Sequence, residues 1–133
     1  MPLSAQSENT PSPLTPTATA SAAPDGTSSP EQPNCQNALT QAEINACAGQ
    51  MAKKADQELN AVYQNLRLSL KDSPRSQQLV DAQLAWIQFR DANCAFEKSR
   101  YEGGSISPSI FSGCIEQMTQ QRIEQLNHYL KSR

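Results

Sequence analysis

Four cysteines, at positions 35, 47, 94 and 114, constrain this 133-residue chain more than anything else in it. An even number of cysteines in a short domain reads as a disulfide framework formed in an oxidising compartment. Zinc is the rival reading, and the spacing argues against it. Eleven, 46 and nineteen residues intervene between successive cysteines, no CxxC pair occurs, and His128 is the one histidine. Four-cysteine zinc sites usually supply their ligands in close pairs. The expectation is therefore Cys35, Cys47, Cys94 and Cys114 in disulfides, with no metal and no cofactor.

All four cysteines lie beyond residue 33, and so does nearly everything able to build a core. Residues 1–33 hold seven of the nine prolines, are rich in Ser, Thr and Ala, and contain no aromatic residue. Such a segment buries too little apolar area to offset its ordering entropy. The sequence predicts a disordered tail or linker over 1–33 and one domain over 34–133, enough for a modest core. All eleven Lys and Arg but only ten of the thirteen acids follow residue 33, leaving the tail at −3 and the domain at +1. Neither charge suits a nucleic-acid binder, which needs a basic patch or stripe. No apolar run approaches the ~20 residues of a transmembrane segment. The N-terminus lacks the charged and apolar regions of a signal peptide. Together with the cysteines, this predicts a periplasmic or secreted protein whose targeting segment is absent from the sequence.

The domain reads as all-α. Thr40-Gln41-Ala42-Glu43 fits a capping box, and an apolar stripe follows at helical spacing: Ile44, Cys47, Met51, Ala55, Leu59, Val62, Leu66 and Leu70. Asp72-Ser73-Pro74 stops this helix, and the same Ser73-Pro74 opens a second as cap and first residue. The second helix runs to about Arg100 and is broken by residues 101–106. Ser107-Pro108 repeats the cap-plus-proline start. The third helix turns Ile110, Phe111, Cys114, Ile115, Met118, Arg122, Leu126 and Tyr129 or Leu130 inward. Short connections make neighbouring helices antiparallel, so the architecture is an up-down-up three-helix bundle. Helices of roughly 45, 40 and 35 Å then bring Cys47, Cys94 and Cys114 to about 9 Å from one end, where Cys35 also enters. Cys94 and Cys114 face each other across the Gly-Gly turn, which favours that pair and Cys35–Cys47 by elimination. Proximity alone leaves the other two pairings open.

The second helix carries the chain's one tryptophan. Leu79, Gln83, Trp86, Ile87, Arg90 and Cys94 recur at steps of three and four, which stacks them on one face. Trp86 is the largest apolar body, so the core is expected to form around it. Gln83 and Arg90 share that face and need polar partners if buried.

Several ordered blocks carry a family resemblance. Cys35 is followed by Glu43-Ile-Asn-Ala-Cys47 and by Asp56-Gln-Glu-Leu59-Asn60-Ala-Val-Tyr63. Next come Gln83-Leu-Ala-Trp86-Ile-Gln-Phe-Arg90-Asp91 with Cys94, then Gly103-Gly104-Ser105, Cys114 and Thr119-Gln-Gln-Arg122. Over about residues 35–130 this resembles the LprI-type family of small secreted or periplasmic helical proteins, named for a lysozyme inhibitor. The resemblance implies an extracytoplasmic helical domain, often found behind a signal peptide or a lipid-anchored cysteine. It brings no catalytic motif.

Two features follow from these residues. Asp56, Asn60 and Tyr63 share one face of the first helix beside its apolar stripe. They are expected to meet Gln83, Trp86, Arg90 and Asp91 of the second helix and Arg122 of the third in a structural polar layer. Asp56 would pair there with Arg90 or Arg122 and fix helix register; the competing expectation is boundary charges in water, each worth little. The second feature is the loop Tyr101, Glu102, Gly103, Gly104 and Ser105, the candidate partner-binding loop. The resemblance implies a rigid loop offered to the carboxylate-lined cleft of a lysozyme. The simpler reading is a helix–helix turn with glycines for unusual dihedrals. A domain charge of +1 supplies no long-range attraction to a basic lysozyme.

Enzyme readings fare poorly. No Gly-rich phosphate loop, metal-ligand helix pair or nucleophile elbow is present. Three functions remain. One is an extracytoplasmic binding module that inhibits a cell-wall-degrading enzyme such as lysozyme. Another is an envelope interaction or structural domain tethered by the tail, with neither enzymatic nor inhibitory activity. The third is a small-ligand module with an apolar pocket between helices.

Overall fold

The computed structural model describes residues 35–132. A 3-10 turn, Cys35–Asn37, leads into three helices: α1 (Gln41–Ser69), α2 (Pro74–Ser99) and α3 (Ser107–Ser132). No strand occurs among the described residues. The tail expected over 1–33 lies outside them.

Local signals place the helix ends. The Thr40 hydroxyl accepts from the Glu43 N–H at 3.1 Å, and the Glu43 carboxylate accepts from the N–H groups of Thr40 and Leu39. That is the capping box. Ser73 caps α2 by accepting from the Arg75 N–H at 3.0 Å, with Pro74 as the first helical residue. Between these helices Asp72 adopts a left-handed φ of 68°, a conformation that Asp tolerates better than most residues. α3 starts one residue earlier than the cap-plus-proline reading. The Ile106 carbonyl accepts from Ile110, so Ser107 is already helical.

The two disulfides are Cys35–Cys47 and Cys94–Cys114, with Cα separations of 5.4 and 5.5 Å. They resolve the pairing that proximity left open, and both sit at one end of the bundle. α3 packs along α1 and along α2, whereas α1 and α2 have little direct backbone approach. Small residues let α1 and α3 come close: a Cβ on Gly49 would lie 3.9 Å from Ser112 Oγ. The inward face of α1 at this end is Ala48, Gly49, Ala52 and Ala55. Ile44 and Met51, expected on the buried stripe, are displaced to its rim and stay 40 % and 46 % exposed.

Leu59 and Leu126 are fully buried at the centre of the core, with Tyr63, Leu66, Leu70, Leu79 and Ile87 around them. Trp86 is not that centre. It is half-buried and packs against the cluster from the side. The wide seam between α1 and α2 gives large amphipathic side chains a place with one apolar and one wet side, which suits an indole.

Candidate functional site

The face that α2 turns inward brings Gln83, Trp86 and Arg90 against α1 and α3. Arg90 is 6 % exposed and touches all three helices. Its Nη1 donates to Asp56 of α1 at 3.0 Å and to the Thr119 hydroxyl of α3 at 3.3 Å. Its Nε donates to the neighbouring Asp91 at 2.9 Å. A buried guanidinium thus has carboxylates on two sides, as burial of a charge requires. Asp56 pairs with Arg90 and not with Arg122.

Arg122 forms the other half of the arrangement. Its Nε donates to Gln83 Oε1 at 2.9 Å and its Nη1 to Gln125 Oε1 at 2.6 Å. The Trp86 ring lies beside both cations, 5.2 Å from Arg90 Cζ and 5.8 Å from Arg122 Cζ. An indole face attracts cations by its quadrupole, which accounts for two like charges meeting one ring. Burial pushes the Arg122 guanidinium below its ordinary pKa. Gln83 is 1 % exposed, and its amide nitrogen has no partner among the described residues.

Two residues expected in the layer lie apart from it. Tyr63 belongs to the apolar core, where burial raises the pKa of its phenol. Asn60 is half-buried and makes no hydrogen bond to the layer. Thr119, fully buried, is a member the expected inward face of α3 omitted. The clue was its place in the 115, 119, 122, 126 series at helical spacing; apolarity favoured Met118 instead.

The second candidate region is the α2–α3 connection. Gly103 has φ +84°, a left-handed value that favours glycine. A Cβ on Gly104 would sit 3.2 Å from the Tyr101 carbonyl oxygen, which also accepts from the Gly104 N–H at 2.9 Å. The Cys94–Cys114 bridge joins the two helices that flank this turn. The Ser105 carbonyl accepts from Asn45 Nδ2 of α1 at 3.0 Å, a tie across the bundle that sequence reasoning did not anticipate. Residues 101–105 are all exposed.

Residues 33–126 match the family model described as lysozyme inhibitor LprI. The chain belongs to the LprI family. The match takes in all four cysteines, Asp56, Trp86, Arg90, the 101–105 loop and Arg122, so both candidate regions are parts of the LprI domain. A curated relative, an uncharacterised protein of Rhizobium meliloti (strain 1021), is 31 % identical over 122 residues, covering 83 % of this chain and 87 % of its own. No solved structure matches.

Chemically, the LprI polar layer joins helices. Its acids are engaged by Arg90, and its tryptophan lies against two cations. The loop, by contrast, is exposed and tied down at both ends.

Proposed function

We propose that this LprI domain is an extracytoplasmic binding module that inhibits a lysozyme-type, cell-wall-degrading enzyme through the loop Tyr101, Glu102, Gly103, Gly104 and Ser105. It acts by binding and not by catalysis. Residues 34–133 form the binding unit, and the proline-rich 1–33 segment serves as a spacer toward the envelope. The observation that carries the reading is the fixation of the loop from three directions. The Cys94–Cys114 bridge holds its base, Asn45 holds Ser105, and the Tyr101–Gly104 turn holds its tip. A loop ordered before encounter loses less entropy on binding.

The test is a bacteriolysis titration with the oxidised domain beside Gly103→Ala. A side chain in the left-handed region strains the loop, by about 1–2 kcal/mol for an L-residue, without touching the core. Saturable inhibition at micromolar concentration, weakened at least tenfold in Gly103→Ala, supports the reading. No inhibition by the oxidised wild type removes it.

One observation favours the second reading, an envelope interaction domain without inhibitory activity. Phe89 and Phe96 are 61 % and 69 % exposed, two turns apart on the outer face of α2. That reading requires lysozyme to be unaffected, and requires capture of an envelope protein to be lost in Phe89→Ser/Phe96→Ser but kept in Gly103→Ala.

A further inference from the structure

A cleft of about 210 Å³ opens at the end of the bundle away from the disulfides, where the C-terminal parts of α1 and α3 meet the first turns of α2. Its floor is apolar, made by Leu66, Leu70 and Leu79 of the core. Arg75, Arg122 and Tyr129 stand on its walls. Three helix ends of mixed dipole sign meet here, so the side chains set the local charge. Both charged residues on the walls are cations.

Arg122 is the informative one. It is 8 % exposed, yet no carboxylate among the described residues pairs with it. Its Nε and Nη1 are committed to the neutral amides of Gln83 and Gln125, and its remaining side-chain partner is the Tyr129 hydroxyl on the same cleft wall, so every group it hydrogen-bonds is an amide or a hydroxyl and none is a carboxylate. The contrast with Arg90, equally buried but given Asp56 and Asp91, is internal to the same layer. A buried guanidinium without an anion is costly, and Arg is the side chain best suited to grip a carboxylate through two parallel N–H bonds.

We propose that this cleft binds a small amphipathic carboxylate: an acyl or aryl body on the leucine floor, its carboxylate held by Arg122 and Arg75. Ligand sites for drug-sized molecules run to about 300–1,000 Å³, so the cleft takes a short body and not a full lipid tail. The site is distinct from the 101–105 loop and stands or falls independently of lysozyme inhibition.

Octanoate is the probe, followed by the fluorescence of Trp86, the one tryptophan, which stacks on Arg122. Thermal shift gives a second readout. Octanol supplies the same body without the charge, and acetate the charge without the body. The expected result is a saturable octanoate response, with octanol and acetate at least tenfold weaker. Arg75→Glu, a change at an exposed position, weakens octanoate binding tenfold or more with an unchanged unliganded Tm. Arg122→Met weakens it further. The proposal is overturned if octanol binds as well as octanoate, if octanoate gives no saturable response up to millimolar concentration, or if Arg75→Glu binds it as the wild type does.

Discussion

Arg90 and Arg122 are both buried, both stack on Trp86, and differ in what their N–H groups find. The Arg90–Asp56 pair has side chains only 7 % and 16 % exposed. Removing one member of such a pair strands a buried charge and costs about 3–5 kcal/mol, while replacing both with apolar groups is often neutral. We therefore expect Arg90→Met to lower unfolding free energy by about 3 kcal/mol, and Arg90→Met/Asp56→Leu to return to within about 1 kcal/mol of wild type. Urea unfolding of the two singles and the double gives the cycle. Asp91 contacts the same guanidinium but is 53 % exposed, so Asp91→Ala is expected to cost no more than about 1 kcal/mol. A large Asp91 effect with a small Asp56 effect would reverse this ranking. At this scale the inward spacing of Gln83, Arg90 and Arg122 was legible. The choice of Arg90 over Arg122 by Asp56 was not, since either arginine lies on an inward stripe. The same holds for Thr119, whose hydroxyl accepts from Arg90 inside the bundle, a partner 29 residues away in the chain.

Among the elements, the start of α1 is the most local structure in the molecule. Thr40 and Glu43 satisfy each other's backbone N–H groups within four residues. The Leu39 and Thr40 N–H groups hold the Glu43 carboxyl below its ordinary pKa of 4.5. A depressed carboxyl stabilises the folded state above its unfolded value, and that contribution is lost as pH falls through the lowered folded value. Acidification from pH 5 downward is thus expected to fray the first turn of α1, seen as faster amide exchange there. Glu43→Gln should remove that pH dependence, because an amide at this position caps without titrating. Thr40→Ala is expected to cost about 1 kcal/mol at any pH. An exchange profile in Glu43→Gln that still follows acid pH would assign the effect elsewhere. These ends were readable in advance because caps and turns involve neighbours in sequence. The start of α3 shifted by one residue because Ile106, not Ser107, supplies the first helical carbonyl.

For the whole molecule, two cross-links hold one end of a small bundle. Bridging a loop of about 20 residues contributes on the order of 3 kcal/mol in the chain-entropy account, a large share of what a small core supplies. Cys94–Cys114 joins two packed helices, and Cys94 is fully buried. Cys94→Ala/Cys114→Ala is expected to cost about 3 kcal/mol by denaturant unfolding. Cys35–Cys47 ties an exposed turn to α1; its removal releases that turn locally and costs the bundle less. Equal losses from the two double mutants would show that the Cys35 segment unfolds together with the core.

Length, periodicity and caps by themselves determined three helices, their order and their starts within a residue, the cysteine-bearing end, and the exposed glycine turn; the first helix stops at Ser69, short of the Asp72-Ser73-Pro74 signal. Each rests on hydrogen bonds or steric rules that act within a few residues. The tertiary structure alone decided how deep each inward residue sits. Small side chains around Gly49 and Ser112 draw α1 and α3 together and leave a wider seam to α2. That spacing pushes Ile44 and Met51 to the rim, keeps Trp86 at the core's edge, gives Arg90 its acids and leaves Arg122 with amides. Burial depends on the distance between helix axes, and that distance is set by residues far apart in the chain.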